Sequence, residues 1–375
     1  MSYSELSKNR LRIFLIFIAC TFVFVPNFFQ ALPTDTQPWF MLILLGFLLL
    51  NALKGQSNIF QFLLIFGLGL CFVSYRILNG FDDEISKLIP LTFFLIFIFT
   101  INKKDIDFLL SNSFFPILVH CLLGFLLLPL MPSIFDLIYG RVPDSSAGFY
   151  SRSINFAYPE PSFAAKVLAI TGLTMCLAFG RRFINKSRFL FTLSILTLSL
   201  TGIILGVLGI FYTLDKKFKF YFIFISFFIL LLIYFGYIQL PGRLGTLQNL
   251  ITNFNFLLIF SDQSFLDRIS VLNQMTNQFY DFDLRGTQLT DKSISFFIFL
   301  QMGFIGLIFL FLIILVLVGR LFLGDFILPL AFLAIAYSDS FLYPSIIFFI
   351  FYLILDTLKK YRVLFRRASS QYATI

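Results

Sequence analysis

The sequence predicts an all-α polytopic membrane protein, a single domain over residues 1–375 with about 10–12 transmembrane helices. Three observations predict it. Of the 375 residues, 59% are hydrophobic and only 13% charged, whereas a soluble globular chain carries about 25% charged residues. The apolar residues gather into runs long enough to cross a hydrocarbon core, which takes about 20 residues of helix. Polar sequence is concentrated in two stretches, 134–160 and 240–293. Such stretches are tolerated only outside the lipid, where water can satisfy their backbone groups. Phenylalanine alone contributes 57 residues, a bulky filler suited to faces that meet acyl chains.

The first run, 11–30, is followed by no small-residue cleavage pattern, and it reads as a retained helix. Runs at 39–53, 59–78, 88–101, 114–133 and 162–179 follow and alternate across the membrane. Residues 189–214 interrupt the alternation. Both flanks are basic, Arg181 to Arg188 before and Lys216, Lys217 and Lys219 after, and basic loops favour the cytoplasm. The polar break Ser199-Leu200-Thr201-Gly202 divides the run into two short halves, which predicts a helical hairpin or re-entrant pair. Runs at 219–239, 294–318, 325–339 and 341–356 complete the plan, with both termini cytoplasmic and both polar stretches on the outer side. The basic tail Lys359-Lys360-Arg362-Arg366-Arg367 reads as a solvated stop-transfer flank. The formal net charge of +9 therefore reports topology and anionic lipid, not nucleic acid.

Composition also restricts the chemistry. The four cysteines, Cys20, Cys71, Cys121 and Cys176, lie inside apolar runs without a CxxC pair, so neither a disulfide framework nor a thiolate metal site is expected. A lone histidine, His120, builds no zinc site of the usual kind; it reads as a packing or hydrogen-bonding residue. No metal or cofactor is expected.

The chemistry-bearing residues lie in the polar stretches. Arg141, Arg152, Arg243, Arg268 and Arg285 are retained on the side where basic residues are sparse. Guanidinium forks bind phosphate bidentately and stay charged, which suits a lipid-linked pyrophosphate at headgroup depth. Pairing with loop acids is the alternative, with Asp267 beside Arg268 and Asp281 and Asp283 before Arg285. Glu160 is the leading candidate for a reacting group. It sits between prolines in Tyr158-Pro159-Glu160-Pro161-Ser162 at the mouth of the sixth run, with Lys166 six residues on. A carboxylate in a partly dry site can exchange a proton with a hydroxyl. Asp291 holds the matching position at the far end of the long stretch. Helix capping remains the alternative for both acids. Within that stretch, Leu247, Leu250, Ile251, Phe254, Leu257 and Leu258, and again Phe265, Ile269, Leu272, Met275 and Phe279, recur at helical spacing, as in amphipathic helices on a membrane surface.

The chain resembles the Wzy-type O-antigen and polysaccharide polymerases, which are related in fold to the O-antigen ligases and more remotely to GT-C membrane glycosyltransferases. Three stretches carry the resemblance. They are Arg152 to Phe156 leading to Glu160-Pro161-Ser162-Phe163-Ala164-Ala165; the hairpin with its break at Ser199-Leu200-Thr201-Gly202; and Arg268 followed by Leu284-Arg285-Gly286-Thr287, Asp291 and Gln301-Met302-Gly303-Phe304-Ile305-Gly306. The resemblance implies a bacterial inner-membrane enzyme with its polar loops in the periplasm. It implies donor and acceptor glycans carried on undecaprenyl pyrophosphate, and a chain-length regulator membrane protein as a further partner. Catalytic roles fall on Glu160 and Asp291 and pyrophosphate binding on Arg152, Arg243, Arg268 and Arg285, with Arg141, Tyr158 and Lys166 secondary. Ligases of this fold carry a histidine near the end of the large loop. Here Asp291-Lys292-Ser293 stands in that region, which favours the polymerase over the ligase. A flippase or other transporter is the alternative from a different class, but internal repeats with interrupted helices are not visible.

Overall fold

The computed structural model describes residues 3–25, 27–29, 39–53, 59–78, 102–139, 154, 156–158, 161–237, 239, 245, 248, 252, 304–336 and 344–372. Among these residues the chain is helical and contains no strand. In order, the helices are α1 (Tyr3–Phe24), α2 (Trp39–Leu53), α3 (Ile59–Leu78), α4 (Lys103–Leu130), α5 (Pro132–Tyr139), α6 (Pro161–Phe179), α7 (Ile184–Leu196), α8 (Leu200–Thr213), α9 (Lys216–Tyr234), α10 (Phe304–Phe322), α11 (Ile327–Ala336) and α12 (Pro344–Tyr372). A 3-10 turn, Gly180–Phe183, joins α6 to α7. Among the described residues, three segments can by length and composition cross a membrane: α4, the run Pro161–Leu196 that holds α6 and α7, and α9. The run expected at 88–101 and most of 240–293 lie outside the described residues.

Two helices extend beyond their apolar runs because their charged ends are locally satisfied. The sequence pattern starts a span at 114, yet α4 begins at Lys103. The Asn102 side chain accepts from the Lys104 amide at 3.1 Å, capping an orphan N–H, and Lys103 pairs with Asp107 one turn on at 2.6 Å. Asp105 and Asp107 are held further by Asn51 and by the Tyr352 hydroxyl. Likewise α12 carries the basic tail onward as helix to Tyr372, with Lys360 on Asp356 at 3.2 Å, again at i,i+4 spacing. The polar stretch 134–160 opens within α5, a short amphipathic helix whose Phe135 and Tyr139 are buried.

The centre of the bundle is α6, which packs against α4, α7, α8 and α12. Every residue from Phe163 to Met175 is buried. Helices α7 and α8 form a tight antiparallel hairpin against it, as the basic flanks and polar break predict. Its core is the fully buried ring of Phe191, which lies between two glycines. A Cβ at Gly172 of α6 would sit 2.6 Å from that ring, and one at Gly209 of α8 would sit 2.4 Å from it.

Polar bonds hold both ends of the hairpin. At its tip the Ser194 hydroxyl faces the Ala165 carbonyl at 2.9 Å and the Gly202 carbonyl at 3.2 Å and can donate to either. Ser199 caps α8 by accepting from the Gly202 amide at 3.0 Å, and Leu198 turns the chain at φ +54°. At its base Arg188 donates to the Thr213 hydroxyl at 3.1 Å and carbonyl at 2.9 Å. The two basic flanks therefore lie at the same end of the bundle.

That end also holds an ionic cluster. Arg320 of α10 is fully buried. It pairs with Asp356 of α12 at 2.7 Å and with Asp325 at 3.4 Å, and donates to the Leu353 carbonyl at 3.2 Å. Asp325 also accepts from the Leu328 amide at 3.4 Å, at the start of α11. A buried guanidinium is tolerable only when paired and hydrogen-bonded, so this cluster ties α10, α11 and α12 together.

Candidate functional site

The best-defined polar constellation surrounds residues 156–158, the segment that leads into α6. This segment lies against α4 at Gly124, where a Cβ would be 2.3 Å from the Phe156 carbonyl oxygen and 2.4 Å from the Ala157 nitrogen. Only glycine lets the two backbones approach this closely. Phe156 bends the chain at φ +54°. Asn27, just beyond α1, donates through Nδ2 to the Ala157 carbonyl at 2.9 Å and to the Tyr139 carbonyl at 3.0 Å. One amide nitrogen has two protons to give, and here both are used to join the chain before α6 to the end of α5. Tyr158 is fully buried. Its hydroxyl donates to the Phe24 carbonyl at 3.1 Å, satisfying one of the orphan carbonyls at the end of α1.

Beneath this frame sits His120, also buried. Its Nε2 meets the Thr21 hydroxyl at 3.0 Å and its Nδ1 the Tyr139 hydroxyl at 2.8 Å. A hydroxyl can donate or accept, so both ring nitrogens are satisfied in either neutral tautomer. The edge of Phe28 closes the site, its ring centroid 4.9 Å from the imidazole. His120 thus has the packing and hydrogen-bonding role read from the sequence. Burial pushes the phenols of Tyr139 and Tyr158 well above the ordinary tyrosine range, with smaller contributions from neighbouring Cys121. Both stay protonated: Tyr158 donates to α1, and Tyr139 keeps a hydroxyl that can donate to or accept from His120.

Of the candidate catalytic, pyrophosphate-binding and secondary residues, Tyr158 and Lys166 are described. Glu160, Asp291, Arg141, Arg152, Arg243, Arg268 and Arg285 lie outside the described residues. Tyr158 is an anchor, with its hydroxyl engaged by α1. Lys166 is buried within α6, beside Ala165, whose carbonyl faces Ser194 near the hairpin tip. It sits in the second turn of α6, six residues after Glu160 in the sequence. Sequence reasoning did not find Asn27, Thr21 and Tyr139. Thr21 and Asn27 are isolated polar residues within the apolar run 11–30 and Tyr139 belongs to the polar stretch 134–160, and only the tertiary fold brings them together.

A second feature lies where α9 ends and the long polar stretch begins. A cavity of about 520 Å³ is lined by Tyr234, Phe235, Gly236, Gln239, Gly245, Gln248 and Thr252. The Gln248 side chain donates to the Ile233 carbonyl at 2.8 Å, closing the last turn of α9. Among the described residues no group of three His, Cys, Asp or Glu is placed to hold a metal ion.

The fold and this site define a chain that is helical among its described residues, with helices able to cross a membrane and a buried polar frame at the mouth of its central helix. No family model, curated protein or solved structure matches the chain.

Proposed function

We propose that this chain is a polytopic glycosyltransferase of the bacterial inner membrane, an O-antigen polymerase that joins undecaprenyl-pyrophosphate-linked repeat units at the periplasmic face. The observation that carries the reading is the anchored approach to α6. Tyr158, two residues before Glu160 in the sequence, is fully buried and held by α1, and Pro161, the residue after it, opens α6; a reacting carboxylate is best carried next to such fixed elements. Support also comes from the hairpin, whose basic flanks share one end. Under the positive-inside bias this shared basic end supports a cytoplasmic hairpin base, and in this reading 134–160 and 240–293 belong to the periplasmic side.

In this reading the anomeric carbon of the donor glycan loses its bond to the pyrophosphate oxygen. It gains a bond to a hydroxyl oxygen at the non-reducing end of the acceptor repeat unit. Glu160 or Asp291 takes the hydroxyl proton, and undecaprenyl pyrophosphate departs. Arg152, Arg243, Arg268 and Arg285, with Arg141 behind them, neutralise the charge that grows on the leaving group, the electrostatic term that often dominates such barriers. A chain-length regulator in the same membrane is the proposed protein partner.

The test is transfer between synthetic lipid-linked repeat units by the purified chain. Glu160→Gln and Arg268→Ala are each expected to lower the rate by about 100-fold or more at normal expression. Unchanged product ladders from both variants would refute the site. Deletion of the gene is expected to leave lipopolysaccharide capped by a single repeat unit. Loss of that unit as well would instead support a ligase or a flippase.

A further inference from the structure

The cavity at the end of α9 has the chemistry of a neutral, hydroxyl-rich ligand. Its described lining combines the amides of Gln239 and Gln248, the hydroxyls of Tyr234 and Thr252, and the rings of Tyr234 and Phe235. Those rings meet edge to face, with centroids 5.4 Å apart and planes at 75°, so they form an aromatic corner. The exposed Gln239 amide carries two N–H donors and two acceptor lone pairs, the pattern that adjacent hydroxyls on a sugar ring match two at a time, while Gln248, engaged by the Ile233 carbonyl, fixes the wall behind it. The apolar C–H face of such a ring fits against an aromatic surface. Gly236, at φ +77° with no atom within 4 Å of where its Cβ would lie, keeps one wall open. A volume of about 520 Å³ falls within the roughly 300–1,000 Å³ typical of small-molecule sites.

An acyl chain would cover amides and hydroxyls without offering them hydrogen-bond partners, which is unfavourable. We propose that this cavity binds a neutral sugar, one ring or a short run of rings of the glycan. The proposal deepens the glycan-transfer reading and rests on it for the lipid carrier of that glycan. The cavity opens where 240–293 leaves α9, and Arg243 follows Gln239 by four residues in the sequence.

Saturation-transfer NMR on the full chain in detergent tests this directly. The probes are the methyl glycosides of glucose, galactose, N-acetylglucosamine and N-acetylgalactosamine. At least one is expected to receive saturation from the protein, and Gln239→Ala is expected to weaken its binding about fivefold, the loss of one hydrogen bond. Gln239 is exposed, so its truncation leaves the fold intact; Phe235→Ala provides a second variant. Sodium pyrophosphate is expected to leave the signal unchanged.

Competition by pyrophosphate would overturn the proposal and mark an anion site. Displacement by short-chain phosphatidylcholine but by no free sugar would overturn it in favour of lipid. Binding unaltered in both variants would place the sugar elsewhere. If the chain binds none of the four glycosides but still joins lipid-linked repeat units, the cavity proposal fails and the transferase reading stands. Cavity-dependent sugar binding without transfer would leave the cavity proposal standing and remove the transferase reading.

Discussion

Helices α6 and α9 are each 19 residues long and each lies in a segment apolar enough to cross a membrane, yet they occupy opposite environments. Helix α6 is buried continuously from Phe163 to Met175, whereas no described residue of α9 is buried. The difference follows composition rather than hydrophobicity. Helix α6 is rich in Ala164, Ala165, Ala169, Thr171, Gly172 and Thr174, while α9 carries Phe218, Phe220, Phe222, Phe224, Phe227 and Phe228. In lipid the hydrophobic effect does not draw helices together, because acyl chains are as apolar as leucine. Close packing and polar bonds do, and small residues permit both. Between these two helices, small residues mark the interior and phenylalanines the periphery, while elsewhere in the bundle Phe24, Phe135 and Phe332 are buried where their neighbours leave room. The Phe191 ring is buried because two glycines leave room for it.

The sharpest test of that contrast is Phe191→Ala. With glycine on both sides of the ring, no neighbouring side chain can fill the space, so a loss of about 3–5 kcal/mol is expected. It would be read as a large drop in the thermal midpoint of the detergent-purified protein. Gly202→Ala comes next. Its Cβ would meet the Ser194 carbonyl oxygen at 2.4 Å, and backbone cannot yield as a side-chain tip does, so about 1–3 kcal/mol is expected. A midpoint equal to that of the unaltered chain would show that the hairpin tip is looser than this geometry.

Asn27→Ala should cost less, about 1 kcal/mol for two hydrogen bonds at the modest values found between membrane helices. Its signature lies elsewhere. The substitution frees the Ala157 carbonyl, so the chain before α6 should lose protection from hydrogen exchange while the α7–α8 hairpin keeps its own. Uniform deprotection of both would show that Asn27 supports the bundle as a whole.

Much of this architecture was legible in the sequence. The runs 39–53 and 59–78 coincide with α2 and α3, and 162–179 matches α6 within a residue. The hairpin was legible because two basic flanks and a Ser-Thr-Gly break cannot be reconciled with a single crossing. What escaped was non-local. The pairing of Asn102 and Asp107 with the start of α4 hides among charges that look like loop. The contacts of Asn27 with Tyr139 and Ala157 join residues more than a hundred positions apart, and no periodicity encodes them. Arg320 lies two residues past the apolar run 294–318, where nothing in the sequence assigned it a role. Its burial becomes intelligible only once Asp325, just before α11, and Asp356 of α12 are brought to it.

The smallest expected effect completes the contrast. Phe224→Leu and Phe227→Leu on α9 replace one bulky apolar side chain by another at positions 64% and 59% exposed. If those faces meet only acyl chains, lipid fills whatever volume the smaller residue vacates and no cavity forms. Each change should then shift stability by no more than about 0.5 kcal/mol. A loss approaching that of Phe191→Ala would mean that another protein surface covers α9. Bulky residues would then mark an interface, and the division between small interior and large peripheral residues would have to be redrawn.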